Sequence, residues 1–389
     1  MRETWQLVPG PEREQVEVSG GTPDLGFKRR RLSGGKSSGV DIVELNCGMM
    51  KVQIIPTRGM GLWRCELNGK SFGWTSPVNG PVHPMYVPVM EPSGLGWLEG
   101  FDEMMVRCGL VSNGAPEHDA NGRLVYPLHG RIANLPADLV SVEVDRENGR
   151  VRFWGEVEES RFHFHRLRLT TEIEISRDSH VVTIKDKVTN YSGRPATMQM
   201  LYHNNFSSPG WKGGWELIAP VKKLAPRDAH SAAGINSWNE FDDPKMGFEE
   251  QVYFMELFAD SNHKTKVVLD YGQGAEDPDK AQGVSLEYDV RQLPCFTLWK
   301  NTVDAWDGYC GGLEPGTNFP NARSFEASKG RVVHLEPGQS HKMDLQIGLL
   351  TEQSQIADAR AATLALATSP PEIASSPDPE WCANANETG

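Results

Sequence analysis

Two side chains stand out for the chemistry they could do together. His203 lies in Tyr202-His203-Asn204-Asn205-Phe206, and Glu314 in Gly311-Gly312-Leu313-Glu314-Pro315-Gly316-Thr317-Asn318-Phe319-Pro320-Asn321-Ala322. They occupy separate strand-and-turn contexts. An imidazole and a carboxylate can put one proton on a sugar ring oxygen while taking another off a hydroxyl. The chemistry they point to is sugar isomerisation.

Other residues could line such a site. His129 stands in Tyr126-Pro127-Leu128-His129-Gly130-Arg131-Ile132-Ala133-Asn134, where a glycine permits close backbone approach and Arg131 offers a fixed fork of donors. A surface-turn histidine is the commoner outcome for a lone His-Gly. Arg58, in Pro56-Thr57-Arg58-Gly59-Met60, follows the apolar run Val52 to Ile55 and could point into a cleft, although an ion-paired arginine is the plainer reading. Trp299-Lys300-Asn301 sets an aromatic plane beside a cation; Trp faces pack on sugars, and a core Trp accounts for it equally well. His163 and His165 alternate, yet no third ligand follows at a diagnostic spacing, so a solvated face is preferred to a metal site. Neither a P-loop, a dinucleotide-binding glycine turn nor a serine nucleophile elbow is read, which counts against nucleotide-dependent and serine-hydrolase chemistry.

The elements that must hold these residues are strands. Apolar positions run Phe162, Phe164, then Leu167, Leu169, Ile173 and Ile175, a change of parity that a β-bulge would cause in a strand pair or one long bent strand. Turns at Arg177-Asp178-Ser179 and Asn190-Tyr191-Ser192-Gly193 separate strands over Val181 to Val188 and Thr197 to Tyr202, giving an antiparallel meander. Val332 to Leu335 and Met343-Leu345-Ile347 flank the turn Glu336-Pro337-Gly338 as a closing hairpin. Long surface loops are expected between Ser207 and Gly247, a short helix over Gln353 to Ala367, and a disordered Ser/Pro-rich tail beyond Ser369.

With 389 residues the chain can bury a large core, and the reading is one β domain over 1–350 with an appendage over 351–389. A formal net charge of −13 argues against a nucleic-acid partner. No apolar run reaches membrane-spanning length and no apolar segment follows the start. The six cysteines form no C-x-x-C pair, which fits reduced thiols in a cytoplasm better than a zinc ribbon or disulfide framework. Eleven Trp residues, several in loop-like contexts, mildly favour a carbohydrate ligand.

Three motifs in order resemble the aldose 1-epimerase (galactose mutarotase) superfamily over about Val52 to Leu350. They are Leu128-His129-Gly130, Tyr202-His203-Asn204-Asn205-Phe206, and Gly312-Leu313-Glu314 with Asn318-Phe319-Pro320-Asn321-Ala322. Pro56-Thr57-Arg58-Gly59-Met60 with Leu128 to Asn134 is similar to a mutarotase-like bacterial family of unassigned substrate. The resemblance implies an all-β fold, a large antiparallel β-supersandwich with a short C-terminal helix. It implies Glu314 as general base at the anomeric hydroxyl and His203 as general acid at the ring oxygen. His129, Arg58, Arg131, Asn204, Trp299 and Lys300 would bind substrate, with no metal or cofactor required. The three cations could favour an anionic sugar, or pair with carboxylates of the cleft. Two alternatives stand beside the epimerase: a non-catalytic carbohydrate-binding protein, and a sugar isomerase or lyase acting at another carbon. Which sugar and which oligomeric state are not read from the sequence.

Overall fold

The computed structural model describes residues 2–9, 19–272 and 281–383. Strands dominate it, and the chain divides into two compact units. The first takes residues up to Gly73, Val78–Met200 and Val332–Asp344; the second takes Trp74–Pro77, Leu201–Arg331 and the chain from Leu345 onward. The division falls within the strands Ala196–Phe206 and Ser340–Leu350. Among the described residues no helix is long and apolar enough to cross a membrane, and all six cysteines are free and buried.

In the first unit, one run of antiparallel strands is ordered Arg2–Pro9, Leu139–Asp145, Arg150–Arg161, His165–Ser176, Val181–Asn190. A second runs Ser19–Thr22, Leu25–Arg31, Asp41–Cys47, Met50–Ile55, Gly61–Leu67, Met105–Leu110. The pair Arg150–Arg161 and His165–Ser176 shows why such strands form. Val151, Phe153 and Val157 alternate with Arg152, Trp154 and Glu156 and are fully buried, as are Leu167, Leu169 and Ile173 across the ladder. On the other face Arg152 meets Glu174 at 2.6 Å and Arg166 meets Glu158 at 3.0 Å. Apolar burial holds the pair together, and the opposite charges favour its register.

The parity change expected as a bulge is a turn. Arg161 pairs with His165, leaving Phe162, His163 and Phe164 as a three-residue hairpin loop with His163 at φ 68°. Phe162 and Phe164 are accordingly 85% and 62% exposed rather than buried. His163 therefore shares no strand face with His165.

In the second unit, residues 201–206 begin an antiparallel series continued by Cys310–Gly316, Cys295–Asn301, Gln251–Leu257 and Val221–Pro226. A further series runs from 345–350 through Gly283–Asp289, Lys264–Asp270, Trp215–Ile218 and Glu240–Phe241. The interval expected to be loops, 207–247, thus contributes three strands and a one-turn helix, Ala229–Ala233, whose N-cap Asp228 accepts from the Ser231 amide. The predicted C-terminal helix runs Gln353–Leu364 and buries Ile356.

The tail after Ser369 departs from expectation. Glu372–Ile373 adds a parallel strand to Val221–Pro226, and Trp381 and Cys382 enter a core cluster with Ala225, Val252, Phe254, Cys295 and Phe319. Asp378 anchors the segment on Lys223 at 2.6 Å. Its polar composition suggested disorder, yet one large aromatic side chain and an ion pair supply the anchoring. Residues 384–389 of that expected tail lie outside the described residues.

Candidate active site

His203 and Glu314 come from adjacent strands of the second unit. Asn204 stands opposite Leu313 and Leu201 opposite Gly316, which brings the imidazole and carboxyl side by side. Glu314 is therefore in a sheet strand rather than a turn. Their separation is 3.1 Å between Nε2 and Oε1, with side chains 6% and 3% exposed.

The surroundings fix who holds protons. Asn205 lies two residues on, hence on the same strand face. Its Nδ2 donates to the His203 carbonyl at 3.3 Å, leaving Oδ1 to accept from His203 Nδ1 at 2.7 Å. With Nδ1 protonated, Nε2 is the nitrogen that shares a proton with Glu314. Burial pushes the Glu314 carboxyl well above the usual carboxylate range; the negative charge of Glu250 adds to this and Arg227 opposes it. The pair is built to keep one proton between its two members.

Trp299 closes one side of the imidazole, ring centroids 5.5 Å apart and edge-on. Its Nε1 donates to Glu250 Oε2 at 2.6 Å, and Arg227 Nη1 donates to the other oxygen at 3.1 Å. Gly312, opposite Trp299, makes room for the carboxyl: a Cβ there would lie 2.7 Å from Glu314 Oε1 and 3.1 Å from Trp299 Cβ. Thr297, opposite Glu314, has a buried hydroxyl with no hydrogen-bond partner among the described residues.

Two of the expected ligands face elsewhere. Asn204 alternates away from His203, and its Nδ2 is spent on the carbonyls of Tyr202 at 3.0 Å and Leu313 at 2.8 Å. Lys300 alternates away from Trp299; its Nζ donates to the Ser237 carbonyl at 3.0 Å and stands 5.9 Å from the Phe241 ring centroid. Burial draws its ammonium below the usual range, with Asp242 and Glu240 opposing.

Arg58, His129 and Arg131 belong to the first unit. Arg58 is fully buried and consumed by structure. It meets Glu103 at 2.6 Å and donates to Val82 O, Asn134 Oδ1 and Gly100 O at 3.1, 2.8 and 2.8 Å. A guanidinium so saturated has no fork left for a substrate anion, so this expected ligand is corrected to an internal ion pair. His129 takes φ 56°, its Nδ1 lies 3.1 Å from the Asn113 carbonyl, and its ring packs on Trp97 at 4.5 Å. Gly130 serves close approach of chain to chain, since a Cβ would fall 2.0 Å from Ser112 O. Arg131 is half-buried.

Sequence reasoning missed Asn205, Gly312 and Glu250. Asn205 was within reach, because period-two alternation puts it, and not Asn204, beside His203. Nothing in the chain order links Glu250 to Trp299.

Fold and pair together define a mutarotase-like, all-β protein. The chain belongs to the family described as Domain of unknown function (DUF4432), whose model matches residues 37–349. A protein from Klebsiella pneumoniae described as a "putative aldose 1-epimerase" is 34% identical with a TM-score of 0.89, the match covering 96% of this chain and 98% of that one. A galactose mutarotase-like protein from Clostridium acetobutylicum is 14% identical with a TM-score of 0.58, over 85% of this chain and 100% of the other. An Escherichia coli K12 protein, again described as a "putative aldose 1-epimerase", is 14% identical with a TM-score of 0.52, over 80% and 100%. The last two likenesses show the fold. No curated protein matches the chain.

Proposed function

We propose that the chain is an aldose 1-epimerase-type isomerase that interconverts the α and β anomers of a pyranose. The observation that carries this reading is the 3.1 Å contact between His203 Nε2 and Glu314 Oε1. The anomeric hydroxyl and the ring oxygen share one carbon, so the base and acid serving them must be neighbours. In the productive tautomer Glu314 is a carboxylate and His203 an imidazolium. Glu314 takes the proton of the anomeric hydroxyl while His203 gives one to the ring oxygen, opening the ring to the aldehyde. The pair is left as carboxylic acid and neutral imidazole, with its proton count unchanged. Rotation about the bond to the aldehyde carbon and reclosure with roles reversed give the other anomer.

The Klebsiella relative supports this reading by its description. Asn205 holds the imidazole in the required tautomer, and Trp299 offers an aromatic face beside it. His129 is assigned to substrate contact on the motif it shares with the superfamily. Free, buried thiols support a reducing compartment, and we place the protein in the cytoplasm.

Saturation-transfer NMR on equilibrating aldoses tests the proposal, because it reports which sugar exchanges. Glu314→Gln and His203→Asn should each slow exchange by about 10²–10⁴-fold. Parent-rate exchange of the best substrate by both variants would remove the acid–base pair from the mechanism.

A further inference from the structure

The first unit contains a cavity of about 460 Å³ lined in part by Val87, Met90, Glu91, Arg131, Asn134 and Leu135. Most of its wall is apolar. The polar groups on it are unequally satisfied, and the inequality has a direction.

Arg131 is half-buried, yet its guanidinium makes no hydrogen bond or ion pair with any described residue. Glu159 and His165 feel its charge, and neither reaches it as a partner. The buried arginines of the same unit behave differently: Arg58 is saturated, and Arg107 is held by Asp186, Thr171 and the Met60 carbonyl. Asn134, nine-tenths buried, gives its Oδ1 to Arg58 at 2.8 Å, while its Nδ2, itself buried, has no partner among the described residues. Both unsatisfied groups are donors.

Glu91 and three carbonyls of the wall already accept hydrogen bonds. Glu91 accepts from the Ser93 and Leu95 amides at 2.8 Å each and from the Ser93 hydroxyl. The carbonyls of Pro84, Val87 and Pro88 accept from the amides of Val87, Val89 and Glu91. A ligand entering here meets the Arg131 guanidinium and apolar walls, with the Glu91 carboxylate engaged by the Ser93 and Leu95 amides. Such a wall selects acceptor-rich, negatively charged groups, which a guanidinium grips bidentately.

We infer that this cavity binds the carboxylate or phosphate of a small anionic ligand, with Arg131 as the ion partner. The inference concerns the first unit alone and does not rest on the acid–base reading of His203 and Glu314.

Calorimetric titration of the full chain with glucuronate, glucose 6-phosphate, glucose and inorganic phosphate, at two salt concentrations, tests it. The anionic sugars should bind about ten- to a hundredfold tighter than glucose, and less tightly at the higher salt. Arg131→Gln should erase the preference and Arg131→Lys should keep only part of it. Met90→Glu, which sets a carboxylate at the half-exposed rim without touching Arg131, should also erase it, with thermal unfolding showing that each variant folds. Inorganic phosphate that displaces glucuronate identifies a free anion as sufficient; failure to displace it places the anionic group on a sugar. Glu314→Gln separates the two readings, since it should keep the charge preference while losing anomer exchange. The inference is overturned if the parent binds the anionic sugars no better than glucose, or if Arg131→Gln retains the preference.

Discussion

Glu314 sits where ionisation is unfavourable, and this has a measurable sign. Its folded-state pKa is raised, first by burial and then by Glu250. Stability from such a group is fully present below the ordinary carboxylate range and is lost as pH rises through the raised value. Glu314→Gln should therefore unfold at a higher temperature than the parent near neutral pH, and the gain should vanish in acid. Thermal unfolding at pH 4 and pH 8 measures this; a variant less stable than the parent at pH 8 would contradict it. Removing the charge of Glu250 alone lowers the Glu314 pKa. Glu250→Gln should consequently move the acid limb of the exchange-rate profile to lower pH, while Gln can still accept from Trp299. An unmoved limb would show that the charge is not felt. Asn205→Leu removes the acceptor that orients His203, and should lower the maximal exchange rate by about tenfold or more with little change in KM.

Strands, rather than single residues, decide which of these groups meet. Along residues 203–205 and 299–300 the alternation sends His203, Asn205 and Trp299 one way and Asn204 and Lys300 the other. Gly312 is the point where two such strands leave space for a carboxyl. Gly312→Ala should displace the Glu314 carboxyl, lower exchange, and destabilise the fold by about 1–3 kcal/mol, since overpacking forces neighbours off their rotamers. Denaturant unfolding and NMR exchange on the same variant would read both effects, and a variant with parent stability and rate would deny the crowding.

At this scale the sequence was informative about some features and silent on others. Residue type exposed His203 and Glu314, alternation exposed most of the strands, and Ala/Leu composition exposed the C-terminal helix. The closing hairpin does not form, because Val333–Leu335 pairs with Ala196–Met198 while Ser340–Leu350 lies beside Val181–Asn190 in a different sheet. Adjacency in sequence misled for Asn204 and Lys300, because neighbours in a strand face opposite sides. Arg58 looked available because burial and its Glu103 partner, 45 residues away, leave no local trace. The 162–164 turn resembled strand because Phe162 and Phe164 are apolar, although their surface is open to solvent.

At the scale of the molecule, the end of the chain is part of a core. The Trp381 ring packs tilted against Phe319, centroids 5.0 Å apart, with Lys223 Nζ 4.6 Å from its ring centroid, and its carbonyl accepts from Asn321 Nδ2 at 2.8 Å. Trp381→Ala should destabilise the second unit by about 3–5 kcal/mol, read by denaturant unfolding. A change below about 1 kcal/mol would mean that the aromatic anchor is dispensable.

The interleaving of the two units also bears on vectorial synthesis. The first unit needs Val333–Leu335 to pair with Ala196–Met198, and the second draws Trp381 into its interior. A nascent chain leaving the ribosome N-terminus first has no finished unit after its opening two hundred residues. It must carry an unpaired edge beside Ala196–Met198 until more than a hundred further residues have been added. A holdase acting on that edge during translation would therefore raise the yield of native chain more than one supplied after release.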